Sequence, residues 1–167
     1  MKIFSSIIVV VLSASGFLCA ESQSQIRDRL VGTWKLVSAE YTMKDGSQRP
    51  YGNLGPRGKG FLIYAPDGYM CADLVNPDRP KWGDVVHPTM EEKLSAAEGT
   101  FAYCGRYEID AAGKQIVHLP EVASRPDYAG SRQVRPYKFE GGRLVLSDVE
   151  TEEPGAVRWK VIWEKVR

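Results

Sequence analysis

The chain has 167 residues with 22 basic and 21 acidic side chains, a formal net charge of +1, and 43% hydrophobic residues. A balance this even provides no basic stripe for a phosphate backbone, so nucleic acid is not an expected partner. The length is enough for a domain that buries roughly two-thirds of its unfolded surface and holds together without a metal.

Residues 1–20 read as a leader rather than as part of the fold. Lys2 precedes the apolar run Ile7, Ile8, Val9, Val10, Val11, Leu12, and small residues then lead to Leu18-Cys19-Ala20. This pattern predicts a secretory signal cut near Ala20 and a periplasmic or secreted protein. The run is shorter than the roughly 20 apolar residues that span a bilayer, and no stop-transfer charges follow it, so no integral membrane segment is expected in the mature chain. A lipid anchor through Cys19 is disfavoured because Leu18 is larger than the small residue such a site calls for. The remaining residues, 21–167, are expected to form one domain, with 21 basic and 21 acidic side chains.

In chain order, Ile26 and Leu30 stand at helical spacing, which predicts a short helix leading into the fold and able to plug one end of it. A strand follows from about Thr33 to Met43 and ends at the turn pair Asp45-Gly46. The loop from Pro50 to Gly60 is rich in Pro and Gly. Phe61 to Ala65 and Tyr69 to Leu74 flank Pro66-Asp67-Gly68, a hairpin signal in which proline presets φ and glycine accepts the strained position. Residues 75–88 contain three prolines and little periodicity, which predicts a long loop over one mouth that could act as a lid. Thr89 and Glu92 form a capping-box pattern for a short helix near 89–98, ended by Gly99.

Strands are expected at Thr100 to Asp110 and Gln115 to Leu119, with a further short one near 121–125. An open stretch between Pro120 and Pro126 then runs past Tyr128. Residues 132–166 carry three more strands, two of them joined at Gly141-Gly142. In the last, Val157, Trp159, Val161 and Trp163 alternate with Arg158, Lys160 and Glu164, the period-two signature of a strand with one wet face. About eight strands in up-and-down order predict an all-β fold, a single antiparallel barrel that removes exposed edges by closing on itself. Such a barrel either fills its interior with side chains or encloses one small molecule.

The inward positions are weighted to large rings with polar tips: Trp34, Tyr64, Tyr103, Tyr107, Tyr137, Trp159 and Trp163, with Phe139. That composition suits an apolar wall with a few placed hydrogen bonds, and the tyrosines and tryptophans among these residues form the candidate ligand-binding set together with His118 and Arg135. His118 shares a strand face with Ile116, which makes it the one plausible acid-base group, or else a hydrogen-bonded wall histidine. Arg135 alternates with Tyr137 and Phe139. A guanidinium turned inward must meet an acidic ligand or lie on a ring such as Trp34.

No catalytic residue is assigned. His87 has no second ligand at metal spacing, no Gly-x-Ser-x-Gly occurs, and the glycines at 52, 55, 58 and 60 lack the strand-to-helix context of a phosphate loop, so neither metal nor cofactor is expected. Cys71 and Cys104 are the two cysteines left after the leader, and the alternation turns both outward on strands consecutive in sequence. Parity and shared face point to a disulfide, with two separate thiols as the alternative.

Five segments in order resemble the bacterial and fungal lipocalin-like domain. They are Leu30-Val31-Gly32-Thr33-Trp34-Lys35-Leu36-Val37-Ser38; Gly60-Phe61-Leu62-Ile63-Tyr64 with Gly68-Tyr69-Met70; Ala102-Tyr103-Cys104-Gly105-Arg106-Tyr107; Val117-His118-Leu119; and Arg135-Pro136-Tyr137-Lys138-Phe139 with Arg143-Leu144. The resemblance spans about residues 30 to 165 and implies a lipocalin-like, calycin-type barrel without universal catalytic residues. Cys71 and Cys104 stand where that family would have small residues, a departure that fits a bridge added by an exported member. The leading expectation is an exported barrel that binds a small, largely apolar molecule in an aromatic-lined cavity. Its rivals are a small-molecule isomerase or cyclase using the same cavity, and a packed barrel whose loops meet another protein around Trp82 or Tyr128.

Overall fold

The computed structural model describes residues 21–149 and 153–167, so the leader expected at residues 1–20 lies outside the described residues. Helix α1 (Gln23–Leu30) precedes strands β1 (Gly32–Met43), β2 (Gln48–Pro50), β3 (Lys59–Tyr64) and β4 (Tyr69–Val75). Helix α2 (Met90–Glu98) comes next, followed by β5 (Thr100–Asp110), β6 (Gln115–Ala123), β7 (Gln133–Glu140), β8 (Arg143–Asp148) and β9 (Ala156–Lys165). From β3 to β9 each strand pairs with the next, all antiparallel, and β1 pairs with β3 on one side and β9 on the other. The register between first and last strands runs from Trp34↔Lys165 to Met43↔Ala156, which closes an eight-stranded barrel. Strand β2 is an extra ribbon on β1, at Glu40 to Thr42. No helix among the described residues is long and apolar enough to cross a membrane.

Alternation does most of the work. In β3 Gly60, Leu62 and Tyr64 are buried while Lys59, Phe61 and Ile63 are exposed, and β4 continues the face with Met70, Ala72 and Leu74. Gly141 and Gly142 both have positive φ, 54° and 79°, the backbone that a two-residue hairpin between β7 and β8 requires and that side chains resist.

Three departures from the sequence reading have local causes. The strand Gln115 to Leu119 does not stop at Pro120, and no separate strand follows. Instead β6 continues to Ala123, with Pro120 opposite Gly105 at a register shift in β5. A Cβ on Gly105 would lie 2.0 Å from the Leu119 carbonyl oxygen, so the glycine lets the two backbones close over the missing proline donor. Val157 is exposed rather than inward, because a bulge between β1 and β9 leaves it unpaired between Ala156 and Arg158. Gln48 and Arg49, which were not read as a strand, and Pro50, expected to open the loop, pair as β2.

Helix α1 stoppers one end of the barrel. A capping box of Ser22 and Gln25 starts it, and its apolar stripe, Ile26 and Leu30, is fully buried. The Trp34 indole Nε1 donates to the Leu30 carbonyl at 2.8 Å, and Lys165 Nζ donates to the Arg29 carbonyl at 2.8 Å. The Arg29 guanidinium lies 4.0 Å from the Phe139 ring centre. Helix α2 has the predicted Thr89–Glu92 capping box but buries no residue, and it sits at the opposite rim. Mid-wall, Cys71 faces Cys104 across β4 and β5, and the two form the disulfide.

Candidate functional site

At the end away from α1, the strand ends leave an open cleft of about 790 Å³. Its wall carries the rings of Tyr41, Tyr51, Phe101, Tyr128 and Trp159, with Arg135 at its base. Tyr51 stacks on Tyr41 at 4.7 Å, and Tyr128 meets Phe101 edge-on at 5.0 Å, so the rings brace one another and leave faces turned to the space. Below Tyr51, Phe101, Arg135 and Trp159, which border both spaces, lies a floor chamber of about 30 Å³. That is room for about two waters at most. Tyr103, His118 and Trp163 line this chamber among the aliphatic side chains of Leu62, Leu74, Leu146 and Val161.

His118 is fully buried, and both its ring nitrogens are engaged by phenols. Nε2 lies 2.6 Å from the Tyr64 hydroxyl and Nδ1 lies 2.9 Å from the Tyr103 hydroxyl. A neutral imidazole donates to one of these and accepts from the other. Burial, with Arg135 nearby, holds His118 well below its ordinary pKa, and burial likewise pushes Tyr103 up to about 12 and Tyr64 well above the ordinary phenol value. All three are therefore neutral near pH 7. With no free nitrogen on His118 and no charge to pass, the trio fixes hydroxyl directions rather than supplying a general base.

Arg135 stands at the boundary between chamber and cleft. Its guanidinium lies 5.2 Å from the Trp159 ring centre, donates through Nη1 to the Val134 carbonyl at 3.0 Å, and donates through Nη2 to Gln133 Oε1 at 3.1 Å and to the Tyr128 hydroxyl. Burial works against its charge, but the phenols of Tyr103, Tyr128 and Tyr51 outweigh it and leave the pKa above the ordinary arginine value. Arg135 thus stays cationic while held by neutral groups. The sequence offered an acidic ligand or a ring such as Trp34 as its partner, and the partner is a ring, though not that one. That indole lies at the closed end beneath Lys165, whose Nζ is 5.3 Å from its ring centre, and the barrel register sets Trp159 beside Arg135 instead.

Of the ligand-binding set read from sequence, Tyr103, His118, Arg135, Trp159 and Trp163 come together around the floor chamber. Trp34, Tyr64, Tyr107 and Tyr137 line neither chamber nor cleft. The Tyr107 hydroxyl donates to the Ala65 carbonyl at 3.0 Å, and Tyr137 meets Phe139 edge-on at 5.6 Å in the half closed by α1. Four wall rings were not in that set, the first of them Tyr41 on β1. Tyr51 comes from the Pro- and Gly-rich loop, Phe101 from the start of β5, and Tyr128 from the turn between Pro126 and Gly130. Aromatic residues inside such breaker-rich stretches were the available signal. Of the two residues around which an interaction module would show an exposed patch, Tyr128 is buried against Phe101 and Tyr103, while Trp82 is exposed. The expected lid is also absent from the cleft wall. The loop folds back on α2, with Arg79 donating to the Asn76 and Ala96 carbonyls and the Gly83 amide donating to Glu92.

The family model described as "Lipocalin-like domain" matches residues 31–166, which is the whole barrel. The chain belongs to the lipocalin-like domain family. Among solved structures, this lipocalin-like barrel is similar to the fluorescent protein UnaG, wild type, at 14% identity and a TM-score of 0.38, over 83% of this chain and 98% of that one. No curated protein matches the sequence.

Proposed function

We propose that this lipocalin-like barrel carries a small, largely apolar molecule in the cleft at its open end, with the molecule's body against Tyr51, Phe101, Tyr128 and Trp159. The observation that carries the reading is the asymmetry of the barrel: one end is stoppered by α1, while the other opens a cleft of about 790 Å³ walled by rings. Clefts of this size hold small molecules in folded proteins, and here the rings supply apolar surface among the charged and polar side chains of Glu98, Arg125, Arg132, Gln133, Asp148 and Glu153. The body of the molecule lies in the mouth, since the inward rings below it leave only the floor chamber of about 30 Å³. We also propose that the chain works after export. The Cys71–Cys104 disulfide supports an oxidising compartment, and the leader-like residues 1–20 support the route.

The test uses two uncharged fluorescent probes, N-phenyl-1-naphthylamine and Nile red. Saturable one-to-one binding that quenches tryptophan emission, and that weakens at least about tenfold in Trp159→Ala, is the expected result. Absence of saturable binding by both probes, or binding unaffected by Trp159→Ala, would overturn it.

A further inference from the structure

The cations around the cleft differ in one respect. Arg125 pairs with Asp127 and Arg132 with Glu108, at 2.6 Å and 3.1 Å. Arg135, the most enclosed of the three, has no carboxylate within ion-pairing distance among the described residues, and every partner it has is neutral. A cation drawn out of water without an anion is costly, and proteins keep one where an anion arrives.

A second unfilled valence belongs to a residue that lines the same small chamber. Trp163 Nε1 is the only buried side-chain nitrogen or oxygen without a hydrogen-bond partner among the described residues, and the residue is 3% exposed. An indole N–H can only donate, so what is missing there is an acceptor. The chamber that Arg135 and Trp163 share, about 30 Å³, is too small for a ring yet sized for a pair of oxygens.

We infer that the ligand is a carboxylic acid, seated head down: its carboxylate enters the floor chamber, takes the Arg135 guanidinium as its counter-ion and accepts a hydrogen bond from Trp163 Nε1, while its apolar body lies in the cleft above. This rests on the proposed carrier function and adds the chemical class and direction of the ligand. A planar carboxylate suits the guanidinium fork, which an alcohol or ester cannot match in charge. The hydroxyl of Tyr128 accepts from the guanidinium, and neither it nor the nearby Tyr103 hydroxyl competes as an anion, because burial raises the pKa of both phenols.

The decisive comparison is cis-parinaric acid against its methyl ester, which share one polyene body and differ in the head. The acid is expected to bind at least about tenfold tighter than the ester. Arg135→Met removes that preference, Arg135→Lys keeps part of it, and Trp163→Phe lowers acid affinity several-fold. In the wild-type protein the Trp163 indole proton moves downfield with acid and not with ester. Equal affinity for acid and ester, with the uncharged probes still bound, overturns the acid assignment and leaves the carrier reading standing. Failure of acid, ester and uncharged probes alike overturns both. Should Arg135→Met not fold, Arg135→Lys and the Trp163 resonance decide the matter.

Discussion

The two ends of this barrel are built from the same inward pattern of rings and come to opposite results. At the closed end Trp34, Tyr107 and Phe139 meet α1, neighbouring strands or a turn, and the polar tips of Trp34 and Tyr107 are taken up by backbone carbonyls. At the open end Tyr51, Phe101 and Trp159 face space, Arg135 lacks an anion, and Trp163 lacks an acceptor. The difference teaches that aromatic alternation specifies a barrel and not a cavity. What decides between a filled and an open end is the element that follows or precedes the strands, here eight helical residues with Ile26 and Leu30 turned inward.

The wall shared by both ends is the place to break the comparison hardest. Closing a loop across a separation of 33 residues should contribute up to about 4 kcal/mol through the unfolded chain. The Cys71→Ala, Cys104→Ala double variant is expected to lose most of that in guanidinium denaturation. A loss below about 1 kcal/mol would mean the strands hold β4 to β5 unaided.

Next in size is the stopper itself. Leu30 is fully buried, and Leu30→Ala should cost about 3 kcal/mol in transfer and cavity terms. Uncharged-probe affinity at the far mouth should change less than twofold, since the cleft wall includes no residue of α1. A parallel loss of probe binding would show that the ends are not independent.

Much of this was legible beforehand because period-two burial is written directly into residues such as Leu62 and Tyr64, and because Ile26 and Leu30 announce a helix with one dry face. Strand β2 was not legible, since all three of its residues are exposed and leave no period to read. Nor was the passage of β6 through Pro120, which depends on Gly105 standing opposite on another strand. The site was legible in kind and not in grouping. Arg135 was found by its alternation with Tyr137, but the ring that it faces is set by how far the strands stagger when the barrel closes, a property of no single segment.

The buried trio at the middle of the barrel gives a third, smaller test. Burial keeps His118 neutral when folded, while in the unfolded chain it takes up a proton near pH 6.5. Its contribution is therefore complete above that pH and is lost as the pH falls, at about 1.4 kcal/mol per unit, until the lower folded pKa is reached. His118→Gln should flatten stability between pH 6.5 and pH 5. An unchanged slope in that variant would place the titrating group elsewhere.

The smallest expected effect has the opposite sign and bears most directly on the contrast between the ends. A ligand-free Arg135 is a cation held by Val134, Gln133, Tyr128 and the Trp159 face, with no carboxylate partner among the described residues. Replacing it with methionine keeps an unbranched chain on the indole and removes the charge, while water in the open cleft can serve the freed groups of Tyr128 and Gln133. Arg135→Met should therefore raise the thermal midpoint of the empty protein, by an amount equivalent to about 1 kcal/mol. The corresponding change at the closed end, Trp34→Phe, should lower it, because there the polar atom is already paired with the Leu30 carbonyl. A destabilised Arg135→Met would mean that the arginine serves the fold and not a guest, and the two ends would then differ in shape alone.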